Sequence, residues 1–396
     1  MSREVIYTDQ LMRPIAHFSH ASRIENVIHV GASAGVFPDL RLAGDDPGRV
    51  DMEAQTRRMF ANLRTTLALL GGNMSDVVRL KAYVADMRDI PKYLAIYADE
   101  FREFRPAHSV VGSWDFPLPQ AAVEIDTTAI VGGKHSVTPN AGLSALSGAK
   151  TGAVVVGEWH YASALPIGED GQLAERSAGG QISTTLQNLK VMLSDAGFSI
   201  ADVCNLHVTI SDIRDYDLAV SEFARFFGNL FPTWTVVGAP LERPEFCIGI
   251  ESVAVRGGGQ PISSEFSPLV PGRPAPAILA GDTLFLSGQG TPGDADTSVE
   301  LQARSAWKRL HALVDEAGFP RDSLLRTNNV LTDWRDFQGF NRGYGPNVAE
   351  PYVPRATVLG NLPDRRARVQ TEGIAHRNGS KAKIVQVAPL VKQAGA

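Results

Sequence analysis

The side chains able to do chemistry are few and scattered along the chain. Arg355 stands within Val353-Pro-Arg-Ala-Thr357. A planar guanidinium suits two-pronged capture of a carboxylate, which lysine does poorly; the alternative is an ion pair with a nearby acid. Glu124 stands in the strand-like run Ala122–Ile130. A carboxylate beside an apolar cleft has its pKa raised towards neutrality and can shuttle a proton, whereas one paired with His108 or an arginine is a structural strand residue. His108, within Arg105-Pro-Ala-His-Ser109, titrates close to neutral pH and suits acid–base work, with a structural role the alternative. His17 and His20 with His29 invite a metal, but their spacing fits no standard zinc pattern, and no metal is expected. Cys204 and Cys247 have no His or Asp at a spacing that marks a nucleophile, and both are expected in the core. The motif Asp-x-Arg-Asp occurs at Asp86–Asp89, Asp212–Asp215 and Asp333–Asp336, each before a helical pattern. Asp89, Asp215 and Asp336 are therefore expected to cap helices rather than to catalyse.

The elements that position these residues repeat. Gln55 to Leu63, Gln181 to Leu189 and Gln302 to Leu310 align without gaps, at offsets of 126 and 121 residues. The same offsets carry Gly71 onto Gly197 and Gly318, and superpose the three Asp-x-Arg-Asp motifs. The chain is a tandem triplicate. In each copy the segment before the glutamine reads as strands, as in Val27–Val30 and Leu284–Leu286. From the glutamine the period becomes helical: Phe60, Leu63, Leu67 and Leu70 recur as Leu186, Leu189, Leu193 and Ala196, and as Trp307, Leu310, Val314 and Ala317. The repeated glycine supplies the left-handed residue that ends that helix. A strand (Val77–Val84, Val203–Ile210, Leu324–Leu331), a second helix from about Ile90 to Phe101 in the first copy, and a last strand follow. The predicted order is ββ-α-β-α-β, an α+β unit with helices on one face of a sheet. Units are expected over residues 1–133, 145–256 and 270–390, joined by Gly/Ser/Pro-rich linkers from Gly132 to about Asn140 and from Arg256 to about Pro276. The glutamines at the helix starts are expected to be structural.

Composition limits the function. The 396 residues are 44% apolar with a net charge of −5, and no basic stripe stands out, which argues against a nucleic-acid partner. No apolar run is long enough to cross a membrane. The charged start Met1-Ser2-Arg3-Glu4-Val5 lacks the apolar core of a signal peptide, and two cysteines make no disulfide framework, so a cytoplasmic protein is expected.

The repeated Gln-x(6)-Asn-Leu pattern, the helix-ending glycine, the strand ending in Asp, and the Pro-Ala or Pro-Arg element before a Glu-containing strand resemble the RidA/YjgF family of enamine/imine deaminases. The resemblance covers all three units. It implies three chorismate-mutase-like α+β domains forming an intramolecular pseudo-trimer, with a β-barrel core, outer helices and clefts between units. It also implies a monomer with internal pseudo-threefold symmetry, with further association left open, a small-molecule substrate and no cofactor. The family arginine that binds the substrate carboxylate falls on Arg355 in the third unit, and on His108 and Trp234 in the first and second. The family glutamate that handles the hydrolytic water is Glu124 in the first unit, replaced by Gly249 and Gln370 elsewhere. Glu124, His108 and Gln370 are thus the catalytic candidates, with Gln370 orienting a water or hydrogen-bonding an amide. Ser287 and Gly288 keep the family's substrate-contacting Ser-Gly pair; Gly31 keeps its glycine, and Phe18 matches an aromatic upstream of it. Trp234 plugs the second cleft or offers a stacking platform. The family cysteine is replaced by Val110, Val236 and Thr357. Because Arg and Glu survive in different units, a site joining Arg355 to Glu124 or His108 across a boundary is one expectation. The rivals are a non-catalytic binding or scaffold protein with degenerate clefts, and a specialised ring-opening hydrolase or lyase.

Overall fold

A computed structural model describes residues 2–45, 50–137, 152–290 and 298–386. The expected linker residues 138–140, the start of the second unit at 145–151 and the end of the third at 387–390 lie outside the described residues.

The first unit runs β1 (Glu4–Ile6), β2 (Ala21–Ile24), β3 (Val27–Ala34), α1 (Met52–Leu69), β4 (Val77–Val84), α2 (Ile90–Glu100), β5 (Ala107–Gly112) and β6 (Val123–Ile130). The second repeats this as β7 (His135–Val137), β8 (Ala153–Val156), β9 (Trp159–Ala164), α3 (Ala178–Asp195), β10 (Val203–Ile210), α4 (Tyr216–Phe227), β11 (Thr233–Gly238) and β12 (Ile248–Val255). The third comprises β13 (Gln260–Ile262), β14 (Ala277–Ala280), β15 (Thr283–Gln289), α5 (Val299–Glu316), β16 (Leu324–Leu331), α6 (Phe337–Tyr344), β17 (Arg355–Leu359) and β18 (Val369–His376), and β19 (Lys383–Gln386) follows. Each unit thus holds two strands more than the predicted order. The three-residue edge strands β7 and β13 begin inside the segments read as linkers, where flanking glycine and proline conceal them. The other addition, β5, β11 or β17, carries the Pro-Ala/Pro-Arg element itself.

The apolar stripe of the first helix has the partner it needs. Phe60, Leu63 and Leu67 are buried, as are Leu186, Leu189 and Leu193, and Trp307, Leu310 and Val314. Gly71, Gly197 and Gly318, with φ near +70°, turn the chain out of each helix. The Asp-x-Arg-Asp motif caps differently from expectation. The first aspartate, Asp86, Asp212 or Asp333, accepts from the backbone N–H two residues on and pairs with the intervening arginine. Asp89, Asp215 and Asp336 make no side-chain cap bond, because the short 3-10 turn at the motif presents its open N–H groups to the earlier residue.

The strands form three sheets, ordered β19-β1-β2-β3-β6-β4-β5, β11-β10-β12-β9-β8-β7 and β13-β14-β15-β18-β16-β17. In each, the strand after the second helix is an edge, parallel to its neighbour. That edge packs on the third strand of another unit: β5 on β9, β11 on β15, β17 on β3. Backbone bonds stitch these seams, from Gly112 N–H to the Pro240 carbonyl (2.8 Å), between Gly238 and Asn361 in both directions (2.8 Å each), and from Ser19 N–H to the Val353 carbonyl (3.3 Å). The strand β19 pairs with β1 and ties the end of the third unit to the first. The expected closed barrel is not formed among the described residues. Ladders stay within three separate sheets, and the seams carry isolated bridges only.

Buried ion pairs and hydrogen bonds also run around the units. Arg79 and Lys81 reach Glu251, His207 and Thr235 reach Glu372, and Arg326 reaches Asp126, which Arg79 also contacts. Burial pushes Asp126 up, but Arg326 and Arg79 outweigh it and hold the carboxyl well below the usual range. Burial pushes His207 down to about 4 and His29 to about 3, so both are neutral.

Candidate active site

The edge position of β17 decides what Arg355 meets. β15, which carries Ser287 and Gly288, lies three places away from β17 in the same sheet. Arg355 therefore faces β3 of the first unit instead. A Cβ on Gly31 would stand 2.8 Å from the Arg355 backbone nitrogen, so glycine is what lets the two strands approach. The Gly31 N–H is committed to the His20 carbonyl at 3.0 Å, so close approach, not donation to a substrate, is its observed role.

Arg355 is 5% exposed and has no carboxylate partner among the described residues. Its Nη2 donates to Asn341 Oδ1 at 2.7 Å and the guanidinium also meets the Tyr344 side chain, while Nη1 is buried with no hydrogen-bond partner among the described residues. The guanidinium lies 4.5 Å from the Tyr344 ring centre, 5.4 Å from Phe340, and 5.9 Å from both Phe18 and Phe337. Burial lowers its pKa, yet an arginine starts so high that it stays charged. A buried, uncompensated cation is costly unless an anion completes it.

Glu124 comes to the same place from the first unit. Together with Arg355 and Phe18 it lines a cleft between the third unit and the first. Burial, reinforced by the negative charge of Asp126 two residues along β6, pushes its carboxyl up to about 8. Its Oε2 has no partner. At neutral pH this side chain holds a proton that no other described residue claims.

Gln55 fixes the entry to that strand. Its Oε1 accepts from Ala122 N–H at 2.7 Å and its Nε2 donates to the Gln120 carbonyl at 3.0 Å. Gln181 makes the same pair of bonds to Cys247 and Glu245, and Gln302 to Arg368 and Arg366. Asn62 adds bonds to the carbonyls of Ala34 and Val36 at the end of β3. The repeated Gln-x(6)-Asn signature is thus a clamp between helix and strands.

The other expected residues lie elsewhere. His108 sits in the core of the first unit, its Nε2 2.8 Å from Tyr93 Oη and its ring stacked 4.0 Å from that of Tyr97. It does not line the Glu124 cleft, because the position after Pro-Ala points beneath the second helix, where α2 supplies two tyrosines. Trp234 is packed likewise among Tyr216, Phe223 and Phe231, with ring centres 5.7, 5.4 and 5.3 Å away. Its backbone N–H donates to Ser287 Oγ at 3.0 Å, and that hydroxyl donates to the Ala275 carbonyl at 2.6 Å. Gly288 lies against Gln370, whose Cδ would be 2.6 Å from an added Cβ. Ser287, Gly288, Gln370 and Trp234 therefore meet at the seam between the second and third units, apart from Arg355. At the seam between the first and second, Gly249 stands where Glu124 would be, and Leu241 and Leu165 approach to 3.0 and 3.4 Å of its would-be Cβ. Among the described residues no group of three or more His, Cys, Asp or Glu side chains is placed to hold a metal ion.

Sequence reasoning missed Asn341, which holds Arg355, and the aromatic wall of α6. The spacing Phe337, Phe340, Tyr344 on one helix face, just before the arginine, was a legible signal for it. It also missed the half-buried Met12 and Ile15 in the loop before β2, which roof the cleft.

Comparison with known proteins gives this arrangement its relatives. The family model described as Endoribonuclease L-PSP matches three times, over residues 8–131, 145–256 and 268–377. The chain belongs to this family, the RidA/YjgF proteins. The 3-aminoacrylate deaminase RutC of Acinetobacter baylyi is 30% identical over 131 residues, 33% of this chain and all of that protein. A 2-iminobutanoate/2-iminopropanoate deaminase of Dermatophagoides farinae is 26% identical over 129 residues, 33% of this chain and 97% of its own. Each relative is thus the size of one unit of this RidA/YjgF protein. A chorismatase crystal structure aligns with 76% of this chain and 93% of its own at a TM-score of 0.53 and 12% identity, a likeness of fold alone. No helix among the described residues is long and apolar enough to cross a membrane.

Proposed function

We propose that the chain is an intramolecular pseudo-trimer with one working cleft, a cofactor-independent deaminase of small imines or enamines that bear a carboxylate. The observation that carries this reading is the meeting, in one cleft, of a buried arginine with an unpartnered Nη1 and a buried glutamic acid with an unpartnered Oε2. The names of the unit-sized relatives as deaminases support the reaction class. The scaffold alternative called for side chains to fill all three clefts; Leu241 and Leu165 crowd the position of Gly249 at one seam, whereas a cleft, mostly apolar rather than polar, lies beside Arg355, which favours the enzyme reading.

In this reading Arg355 Nη1 takes the substrate carboxylate and sets the C2 carbon before Glu124. An enamine first gains a proton at its terminal carbon and loses one from nitrogen, becoming an imine. Glu124 gives its proton to the imine nitrogen, water adds at C2, and the resulting carboxylate accepts the proton that water releases. Glu124 then passes its proton to the carbinolamine nitrogen and takes up the hydroxyl proton as the C–N bond breaks, releasing ammonia and leaving the 2-oxo acid. Proton transfer from a placed acid contributes on the order of 10²–10⁴-fold, and orientation by the arginine contributes further. A phosphodiester chain is bound by several cations, and the described cleft residues offer one, so RNA is a poor match.

The test follows the loss of 2-iminopropanoate, generated in situ from serine by a dehydratase, with wild type, Arg355→Met and Glu124→Gln. Methionine keeps the length and apolar contacts of the arginine stem without its charge. Acceleration that disappears in both variants, with circular dichroism unchanged, supports the composite site. Acceleration that survives Arg355→Met rules it out.

A further inference from the structure

A second cavity lies between the three sheets, apart from the Arg355 cleft, and each unit lines it at the same place in its ladder. Register pairs His29 on β3 with Thr128 on β6, and Thr128 with Arg79 on β4. The matching positions are Tyr161, Val253 and Asn205 in the second unit, and Phe285, Ile374 and Arg326 in the third. All of these line the cavity, joined by Trp159 and Thr283, the first residues of β9 and β15. The layer is lopsided. The first unit offers an imidazole and a hydroxyl, while rings and branched aliphatic side chains come from the other two. His29 is 5% exposed, and its Nδ1 has no hydrogen-bond partner among the described residues.

At the buried end Arg79 and Arg326 face the cavity, whereas Asp126, Glu251 and Glu372, the carboxylates that hold them, do not line it. With Lys81 on Glu251, these three cations meet three carboxylates, so this end offers N–H donors without net charge. An anion would leave water for cations that are already compensated, and Glu25 at the exposed end adds an acid. A cation would meet the guanidiniums. The cavity leaves about 80 Å³ for the centres of water molecules. At about 10–15 Å³ per water on that measure it holds roughly five to eight waters, the volume of one small ring with a polar substituent.

We propose that this cavity is a second ligand site, for a neutral one-ring aromatic molecule with a carboxamide edge, its ring against Phe285 and Trp159 and its amide at His29. An amide both donates and accepts, so it satisfies His29 Nδ1 in either tautomer while its oxygen takes a guanidinium N–H. The ring replaces waters that the aromatic wall cannot hydrogen-bond. The site stands whether or not the Arg355 cleft is a deaminase.

Calorimetry with benzamide, benzoate and cyclohexanecarboxamide tests it on wild type, Arg355→Met, Thr283→Phe and His29→Phe. Arg355→Met removes carboxylate capture in the other cleft. Thr283→Phe fills the cavity from its side and leaves the ion pairs in place, and His29→Phe keeps a ring without its nitrogens. Benzamide should bind wild type and Arg355→Met alike, with a Kd of about 1 mM or tighter. Binding should weaken at least about 10-fold in Thr283→Phe and in His29→Phe, the scale of one lost hydrogen bond or more. In Arg355→Met, benzoate and cyclohexanecarboxamide should each bind at least about 10-fold more weakly than benzamide. Benzoate matching benzamide there would make the cavity an anion site, and cyclohexanecarboxamide matching it would remove the role of the rings. Either result overturns the proposal, as does undetectable benzamide binding or binding that Thr283→Phe leaves intact. A crystal structure of wild type with benzamide frees the test from the folding of the variants. The ring against Phe285 with the amide at His29 upholds the site, and water alone in the cavity overturns it.

Discussion

Glu124→Gln tests the protonation of the site apart from its activity. In the folded protein burial and Asp126 hold this carboxyl at about 8, against an ordinary value of 4.5. As pH rises from 4.5 to 8 the unfolded chain releases this proton and the folded chain keeps it. The folded state then binds more protons, and stability falls with pH across that window. The penalty is absent below 4.5 and complete above 8. At about 1.4 kcal/mol per pKa unit it is on the order of 5 kcal/mol. Glutamine does not titrate, fills the same volume and removes the penalty. Thermal melting of both proteins from pH 5 to pH 9 should therefore show the variant gaining on wild type as pH rises, by several degrees at the alkaline end, on top of any constant offset. In the same window wild-type kcat/KM should fall as pH passes 8 and the acid loses its proton. A stability difference that does not change with pH would refute the reasoning, since Glu124 would then ionise like an exposed carboxylate and hold no proton to give.

Gln55→Ala and Gln181→Ala each strand two backbone groups and should lower melting temperature alike, at about 1–3 kcal/mol for each buried group left unpaired. Only Gln55→Ala should also reduce deaminase activity, because only Gln55 anchors the strand that carries Glu124. Asp126→Asn leaves Arg79 and Arg326 short of a buried partner and should cost about 3–5 kcal/mol by urea denaturation. It also removes the negative charge beside Glu124, so the alkaline limb of the pH–rate profile should move to lower pH. His108→Phe should leave kcat/KM within about twofold of wild type, since on the rate scale of a lost proton donor His108 contributes nothing to the Glu124 cleft; a loss of 100-fold or more would return His108 to the chemistry.

The units and the helical stripes were legible because they are local: spacings of three and four residues, and a triplicated signature, need no knowledge of the neighbours. The edge strands β7 and β13 were not, since three residues between glycines and prolines carry too little periodicity. The candidate site was half legible. Arg355 and Glu124 stood out by type and flanking residues, and Phe18 by its place upstream. What the sequence could not say is which residues share a cleft. That depends on sheet order, which puts β17 at an edge against β3 and keeps it from the Ser287-Gly288 pair of its own unit. His108 and Trp234 misled for a related reason. Their position points under the second helix, where tyrosines or phenylalanines absorb the side chain and only an arginine reaches past them to a cleft.

The composite site is tested most directly by a crystal structure of the protein with 2-oxobutanoate, a stable product-like 2-oxo acid. The carboxylate should lie on Arg355 Nη1, with the C2 oxygen within hydrogen-bond distance of Glu124 and the remainder against Phe18 and Phe337. The acid bound at either of the other two seams, or bound in this cleft with its carboxylate away from Arg355, would contradict the assignment.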